Sequence, residues 1–283
     1  MSFIEKSYES HRASKGESLP NFVLTGDFNE SENYITKEMD RLLPLIKEFK
    51  DSSWLTIGDG RYGGEAFFLI KQGLKDVTAS DICIDSLLIA KEKGIISQIS
   101  EENAEKLSFK DNSIDFVLCK ASYHHFPRPS IAFYEMLRVS KIGLVLIEPI
   151  EASPKILDSF RFFVKSVLRK DKNYMYEESG NFVYRVSIRE LEKMMLSLNY
   201  PVIAYKSYNS FYMAGINGFM KIFEKFIYFL GKFIQDFLSV IKLMNYGTSC
   251  IICFKEDLDD KRIKELKRNG YKIRKLTRNP YIK

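Results

Sequence analysis

Histidine is scarce in this chain, with three residues in 283, beside one tryptophan and four cysteines. So few cysteines exclude a disulfide scaffold. Cys83, Cys119, Cys250 and Cys253 fall in apolar stretches that read as buried strands or the ends of strands. Cys250 and Cys253 form a CxxC, but residues three apart on a strand point to opposite faces and cannot hold one metal together. No cluster of Asp, Glu and His has metal-ligand spacing, so no metal is expected. The chain also lacks an unbroken apolar run of about 20 residues to span a bilayer, and it has no internal repeat or low-complexity tract. The opening residues 1–18 are polar, without the apolar core of a signal peptide, which makes the cytoplasm the expected compartment.

A charge of one sign spread along the chain is missing too. The formal charge is +6, from 43 Lys and Arg against 37 Asp and Glu. Residues 255–283 hold eleven Lys and Arg against five Asp and Glu, so this tail accounts for the whole excess and the rest is balanced. A solvated terminal helix explains such a tail; attraction to phosphate-bearing substrates or to an anionic membrane is the sharper alternative.

What is present is order along the chain. Residues 1–24 are rich in Ser, Lys and Glu and suit a flexible arm or a lid. A helix capped at Ser31 or Asn33 follows to about Phe49, with Ile35, Met39, Leu42, Leu43, Leu45 and Ile46 at helical spacing. From Ser53 short apolar runs alternate with amphipathic ones, the signature of βαβ units and a parallel sheet. Strands are expected at 54–57, 76–80, 96–100, 114–120 and 144–147, with helices at 65–71, 84–93 and 131–139. Helices at 155–168 and 187–198 come next, then strands at 202–208 and 248–254 that read as an antiparallel edge pair. Between these two lies an apolar stripe over 219–241, rich in phenylalanine, with Lys221, Lys225, Lys232, Gln235, Asp236 and Lys242 on its other face. The domain reading is therefore an arm and cap helix in 1–50 and a nucleotide-binding core in 51–150. The remaining strands, with a helical insertion near 215–245, occupy 151–255, and a basic tail fills 256–283.

In a doubly wound sheet ligands bind beyond the carboxyl ends of the strands. After the first strand stands Gly58-Asp59-Gly60-Arg61-Tyr62-Gly63-Gly64, a G-x-G-x-x-G pattern. Glycines let the chain turn sharply and let a ligand approach the backbone without meeting a Cβ, and the helix start beyond offers N–H groups to an anion. Asp81, at the end of the second strand, lies where a ribose diol would be accepted. The same pattern introduces nicotinamide and flavin enzymes, and a mere tight turn also produces it.

Two further stretches narrow the choice. The run Glu102-Asn103-Ala104-Glu105-Lys106-Leu107-Ser108-Phe109-Lys110-Asp111-Asn112-Ser113-Ile114-Asp115-Phe116-Val117 resembles the acid-Ala-Glu and Asp-x-Ser-Phe-Asp-x-Val segments of class I S-adenosylmethionine-dependent methyltransferases. Lys120-Ala121-Ser122-Tyr123-His124-His125-Phe126 is similar to the His-His stretch after the fourth strand in small-molecule members. The matches run over 55–149, about a third of the chain, in the family's order. The resemblance implies a doubly wound, seven-stranded, mostly parallel sheet, with S-adenosylmethionine as cofactor and S-adenosylhomocysteine as product. It assigns cofactor contact to Gly58, Asp59, Gly60, Gly63, Asp81, Ile82, Asn103, Ala104 and Lys120. The family usually carries Asp or Glu two residues before the first glycine; here that position is Thr56, so either Asp59 or a residue of the arm takes over contact with the cofactor's ammonium group, or cofactor binding is weak.

Methyl transfer needs the nucleophile, carbon and sulfur aligned and water excluded, and a hydroxyl acceptor also has to lose its proton. His124 or His125 is the leading base, with Tyr123 and Glu148 as secondary candidates at the same rim and Tyr184 and Arg185 as partners for an anionic substrate. For each, a packing, capping or solvated role is the competing interpretation. No Asn/Asp-Pro-Pro-aromatic motif follows the fourth strand, so a nucleic-acid substrate is not expected. The preferred function is O-methylation of a small hydroxylated molecule, such as a sugar or nucleotide-linked sugar of cell-surface glycan assembly. Transfer to an amine, a nicotinamide-dependent oxidoreductase and a cofactor-binding scaffold without turnover stay open. The 219–241 stripe reads as a lid, a homodimer surface or a peripheral membrane contact.

Overall fold

The computed structural model describes residues 3–12, 19–29, 32–151, 176, 182–209 and 224–281. Ahead of the sheet come α1 (Phe3–Arg12), α2 (Asn21–Thr25), α3 (Asn33–Met39) and α4 (Leu43–Glu48). The alternating core then runs β1 (Trp54–Ile57), α5 (Gly64–Lys71), β2 (Val77–Asp81), α6 (Asp85–Glu92), β3 (Gln98–Glu101), β4 (Ile114–Lys120), α7 (Pro129–Val139) and β5 (Ser140–Pro149). The remainder is α8 (Ile188–Ser197), β6 (Val202–Tyr208), α9 (Glu224–Val240), β7 (Thr248–Phe254), α10 (Asp260–Arg268) and β8 (Lys272–Lys275).

The strands form one sheet in the order β3-β2-β1-β4-β5-β7-β6-β8. Strands β1 to β5 pair in parallel, and β7 is antiparallel to both β5 and β6. The order reverses direction at β1 and β4, so the crevice beyond their carboxyl ends is the place for a ligand. Period-two alternation buries both faces. Trp54, Phe116 and Val145 enter one cluster with α5, α6, α10 and the N-terminal helices, whereas Leu55, Val117 and Leu144 enter the other with α7 and α8.

Several expectations change. The sheet has eight strands, not seven, because the basic tail is not only a solvated helix: Ile263 and Leu266 of α10 are buried, and β8 pairs with β6. That pairing also means 202–208 and 248–254 are not an edge pair, since β7 is inserted between β5 and β6 and β8 covers β6. The cap helix is interrupted at Asp40–Leu42, just ahead of Pro44, whose ring opens α4. Asn33 is its first helical residue rather than its cap, Ser31 lies outside the described residues, and residues 3–12 of the arm are helical. The helix expected at 155–168 falls outside the described residues.

Cys250 joins the first cluster and Cys253 the second, on opposite faces of β7. Cys83 departs from the buried expectation, being half-buried beyond the end of β2.

Candidate active site

The carboxyl ends of β1, β2 and β4 open onto a cleft of about 1100 Å³, which the N-terminal segment covers with Tyr8, Phe22, Ile35 and Glu38. Ligand pockets commonly span roughly 300–1,000 Å³, so this one has room for a nucleoside-sized cofactor and an acceptor together. Its floor is the turn after β1. Gly58 has φ +73°, and a Cβ there would lie 2.5 Å from Ser122 Cβ. A Cβ on Gly60 would lie 2.7 Å from Asp81 Oδ2. The glycines therefore keep a cradle empty that any side chain would fill. Gly63 serves differently: it backs onto Ile96 and Leu87, away from the cleft, and fixes the start of α5.

Asp59 does not reach the cleft. Its buried carboxylate accepts from Thr56 Oγ1 at 2.8 Å, from Glu65 N at 3.2 Å and from Ala66 N at 2.9 Å, so it caps α5 from beneath. The expectation that Asp59 meets the cofactor is corrected by this inward turn. Burial pushes its carboxyl up, and the adjacent Glu65 charge pushes the same way.

Glu65 and Glu38 line the cleft instead, neither legible as a site residue in the sequence. Lys120, whose side chain is 3% exposed, stands 3.3 Å from Glu65 and 3.4 Å from Glu38. Burial alone would raise the Glu65 carboxyl, but the Lys120 ammonium, together with hydrogen bonds from Asp59 and the backbone, outweighs it and holds the carboxyl below its usual value. Burial likewise works against the Lys120 charge, and Glu65 and Glu38 more than restore it. Glu65 had one local signal, its place in the first turn of the helix after the glycines; Glu38 had none, because it arrives from α3.

At the ends of β2 and β3 the structure brings Asp81, Ile82, Asn103 and Ala104 together on the cleft wall. Asp81 Oδ1 accepts from Cys83 N at 2.8 Å, which sets the carboxylate at the mouth of β2. Asn103 Oδ1 accepts from Glu105 N at 2.9 Å, closing the loop after β3. Glu105 in turn holds the arm and the His-His segment in place. Its Oε2 accepts from Tyr8 Oη at 2.7 Å and from Arg128 Nε at 2.6 Å, and its Oε1 accepts from Arg128 N at 2.8 Å.

After β4 the chain passes through Ala121, at φ 51°, into a short helical turn, Tyr123–His125. A non-glycine residue in that region costs on the order of 1–3 kcal/mol and persists only where its surroundings over-determine it. Here they do: Ala121 N donates to Ile147 O at 3.0 Å and Ser122 Oγ donates to Gly58 O at 2.8 Å. Glu148, at the end of β5 and 0% exposed, gathers the turn, with Oε1 accepting from Ser122 N and Tyr123 N, each at 2.9 Å. Its Oε2 lies 2.6 Å from His124 Nδ1. A carboxylate only accepts, so in the neutral ring Nδ1 carries the proton and Nε2 keeps a lone pair.

Four expectations are sorted by this geometry. His124 and His125 both line the cleft, with ring centroids 3.9 Å apart. Glu148 is sealed beneath His124 and positions it, which corrects its assignment as a base. Tyr123 is fully buried in the core with its hydroxyl lacking a hydrogen-bond partner, and burial raises its proton affinity, so it is no base. Tyr184 is hydrogen-bonded to Glu190 and Arg185 is exposed; neither lines the cleft.

Residues 55–147, from within β1 to Ile147 in β5, match a family described as a methyltransferase domain. Among solved structures, a S-adenosylmethionine-dependent methyltransferase from Archaeoglobus fulgidus is 16% identical, with 80% of this chain and 97% of that one covered and a TM-score of 0.51. A candidate sarcosine dimethylglycine methyltransferase from Galdieria sulphuraria is 13% identical over 81% of this chain and 85% of that one, with a TM-score of 0.51. Magnesium protoporphyrin IX methyltransferase from Synechocystis PCC 6803, solved with S-adenosylhomocysteine, is 11% identical over 88% and 93%, with a TM-score of 0.49. A search of curated sequences finds no match. The strand order gives the chain the fold of class I methyltransferases, and the matched segment, about a third of the chain, carries the glycine cradle. The methyltransferase-domain match indicates S-adenosylmethionine as the cofactor.

Proposed function

We propose that the protein transfers a methyl group from S-adenosylmethionine to a hydroxyl of a small acceptor, with His124 as general base. When bound, the cofactor supplies an electrophilic methyl carbon on a sulfonium leaving group. Supporting this reading above all is the 2.6 Å contact of the sealed Glu148 carboxylate with His124 Nδ1, which leaves Nε2 as a proton acceptor on a ring that lines the cleft. The carboxylate also stabilises the ring once it takes the acceptor's proton, as in other base-orienter pairs. The N-terminal segment excludes water, and Asp81, Asn103 and Ala104 hold the nucleoside. Phe126 and Asn21 are among the residues that line the cleft, a mixture of aromatic and polar groups suited to a polyhydroxylated molecule such as a sugar unit.

Turnover is measured as S-adenosylhomocysteine release over a panel of hydroxylated and amine acceptors. A general base contributes roughly 10²–10⁴ in rate, so His124→Ala lowers kcat by about that factor while the cofactor Kd stays within about threefold. Full turnover by His124→Ala removes His124 from the base role. Tight cofactor binding with no acceptor methylated favours the scaffold alternative.

A further inference from the structure

Helix α9 is mounted the wrong way round for a globular protein. Phe226, Phe229, Phe233, Phe237 and Val240, spaced at three and four residues along one face, are each more than half exposed. The face that docks is polar. Asn209, itself buried, donates from Nδ2 to Asp236 Oδ1 at 3.1 Å and to Ser239 Oγ at 3.0 Å, while its Oδ1 accepts from Gly247 N at 3.2 Å. Asp236 also pairs with Lys232, so this carboxylate is neutralised on the docked side. An apolar stripe of this extent costs solubility unless something covers it.

Charge and placement identify the cover. The sequence sets Lys221 and Lys225 ahead of the stripe, and Lys242, exposed, follows it. The turn from α10 into β8 adds exposed Lys267, Arg268 and Lys272, and the pairing of Lys272 with Tyr205 lays that turn along the carboxyl half of β6, the end from which the chain leads to α9. The chain returns from α9 at Gly247, whose carbonyl accepts from Ile150 N at 3.0 Å, directly beyond Pro149 at the end of β5. Helix α9 therefore sits at the same rim of the sheet as Lys120 and Glu148. No described helix is long and apolar enough to cross a membrane. A helix with one apolar aromatic face and flanking lysines lies instead in the plane of the interface, held by burial of that face and by attraction to anionic headgroups.

We infer that α9 is an in-plane docking surface for an anionic lipid bilayer, which turns the rim carrying the cleft toward the membrane. The inference rests on the mounting of α9 and not on the methyl-transfer reading. It is tested by flotation of the full chain with phosphatidylcholine vesicles, with and without phosphatidylglycerol, at low and high salt. The protein floats with the phosphatidylglycerol vesicles, less so at high salt, and the exposed double substitution Phe229→Glu, Phe233→Glu lowers binding by more than about tenfold, because two apolar rings no longer leave water on docking. An unchanged melting curve confirms that the variant folds. Absence of flotation overturns the inference, as does equal flotation on neutral vesicles. A dimer by light scattering that the same substitutions dissociate, without flotation, replaces the bilayer with a second copy of the chain.

Discussion

Replacing Lys120 with methionine removes one cation from between two carboxylates while keeping most of the volume of the side chain. The Lys120 and Glu65 side chains are 3% and 13% exposed, so what remains is a poorly solvated pair of acids with Asp59 buried beside them. Breaking a buried pair from one side costs roughly 3–5 kcal/mol. The 20% exposure of Glu38 and the 3.4 Å separation argue for the lower end, about 3 kcal/mol. At roughly 2–4 °C per kcal/mol for a domain of this size, Tm falls by about 6–12 °C near pH 7 in cofactor-free protein. The sign with pH follows from Glu65. Because Lys120 holds its folded pKa below the ordinary value, the stabilisation it brings is full above that value and is lost as the pH falls through the folded one. The gap between wild type and Lys120→Met therefore closes in acid. Adding Glu65→Gln to the variant restores part of the loss at neutral pH, a coupling of at least ~1 kcal/mol. Thermal melts of the four proteins at neutral and acidic pH decide the matter. A loss below about 1 kcal/mol at pH 7, or a loss that does not shrink in acid, refutes the account of the cluster as a buried ion network.

Two further outcomes bear on the cofactor cradle. Asp81→Ala removes an acceptor worth roughly 1.5–3 kcal/mol for a charged hydrogen bond, so S-adenosylhomocysteine affinity measured by calorimetry drops about 10- to 100-fold with little change in Tm. Gly58→Ala places a Cβ 2.5 Å from Ser122 Cβ at a backbone φ of +73°; it abolishes cofactor binding and lowers Tm, and adding Ser122→Gly relieves the contact without relieving the backbone, so recovery is partial.

The parts of the fold written in local pattern were legible. β1, at Trp54–Ile57, and β4, at Ile114–Lys120, match their expected bounds, because a continuous apolar run ended by glycine or a charge leaves a buried strand few alternatives. The opposite faces of Cys250 and Cys253 followed from strand periodicity in the same way. What the sequence hid is what depends on distant partners. The eighth strand is short and charged, with Lys272, Arg274 and Lys275 among its four residues, and only its pairing with β6 makes it a strand. Asp59 read as a cofactor residue from its place between glycines, yet its direction is set by Thr56 and by the N–H groups of α5. Glu38 carried no motif at all, and the segment that brings it to Lys120 could be read only as a cap.

The exchange of Thr56 and Asp59 explains why the cluster has the members it has. Where the family usually places an acid at the end of the first strand, this chain has a hydroxyl that donates to an acid three residues on. That acid satisfies the N–H groups of Glu65 and Ala66, so the first turn of α5 is capped from below. Glu65 is then left to line the cleft. Two carboxylates against one ammonium give the site a net negative charge with both acids ionised, the sign that suits an ammonium group of the cofactor. One of those acids arrives on α3. Formation of that charge thus requires the N-terminal segment to be in place, and the segment that covers the cleft is the same one that brings Glu38 to Lys120.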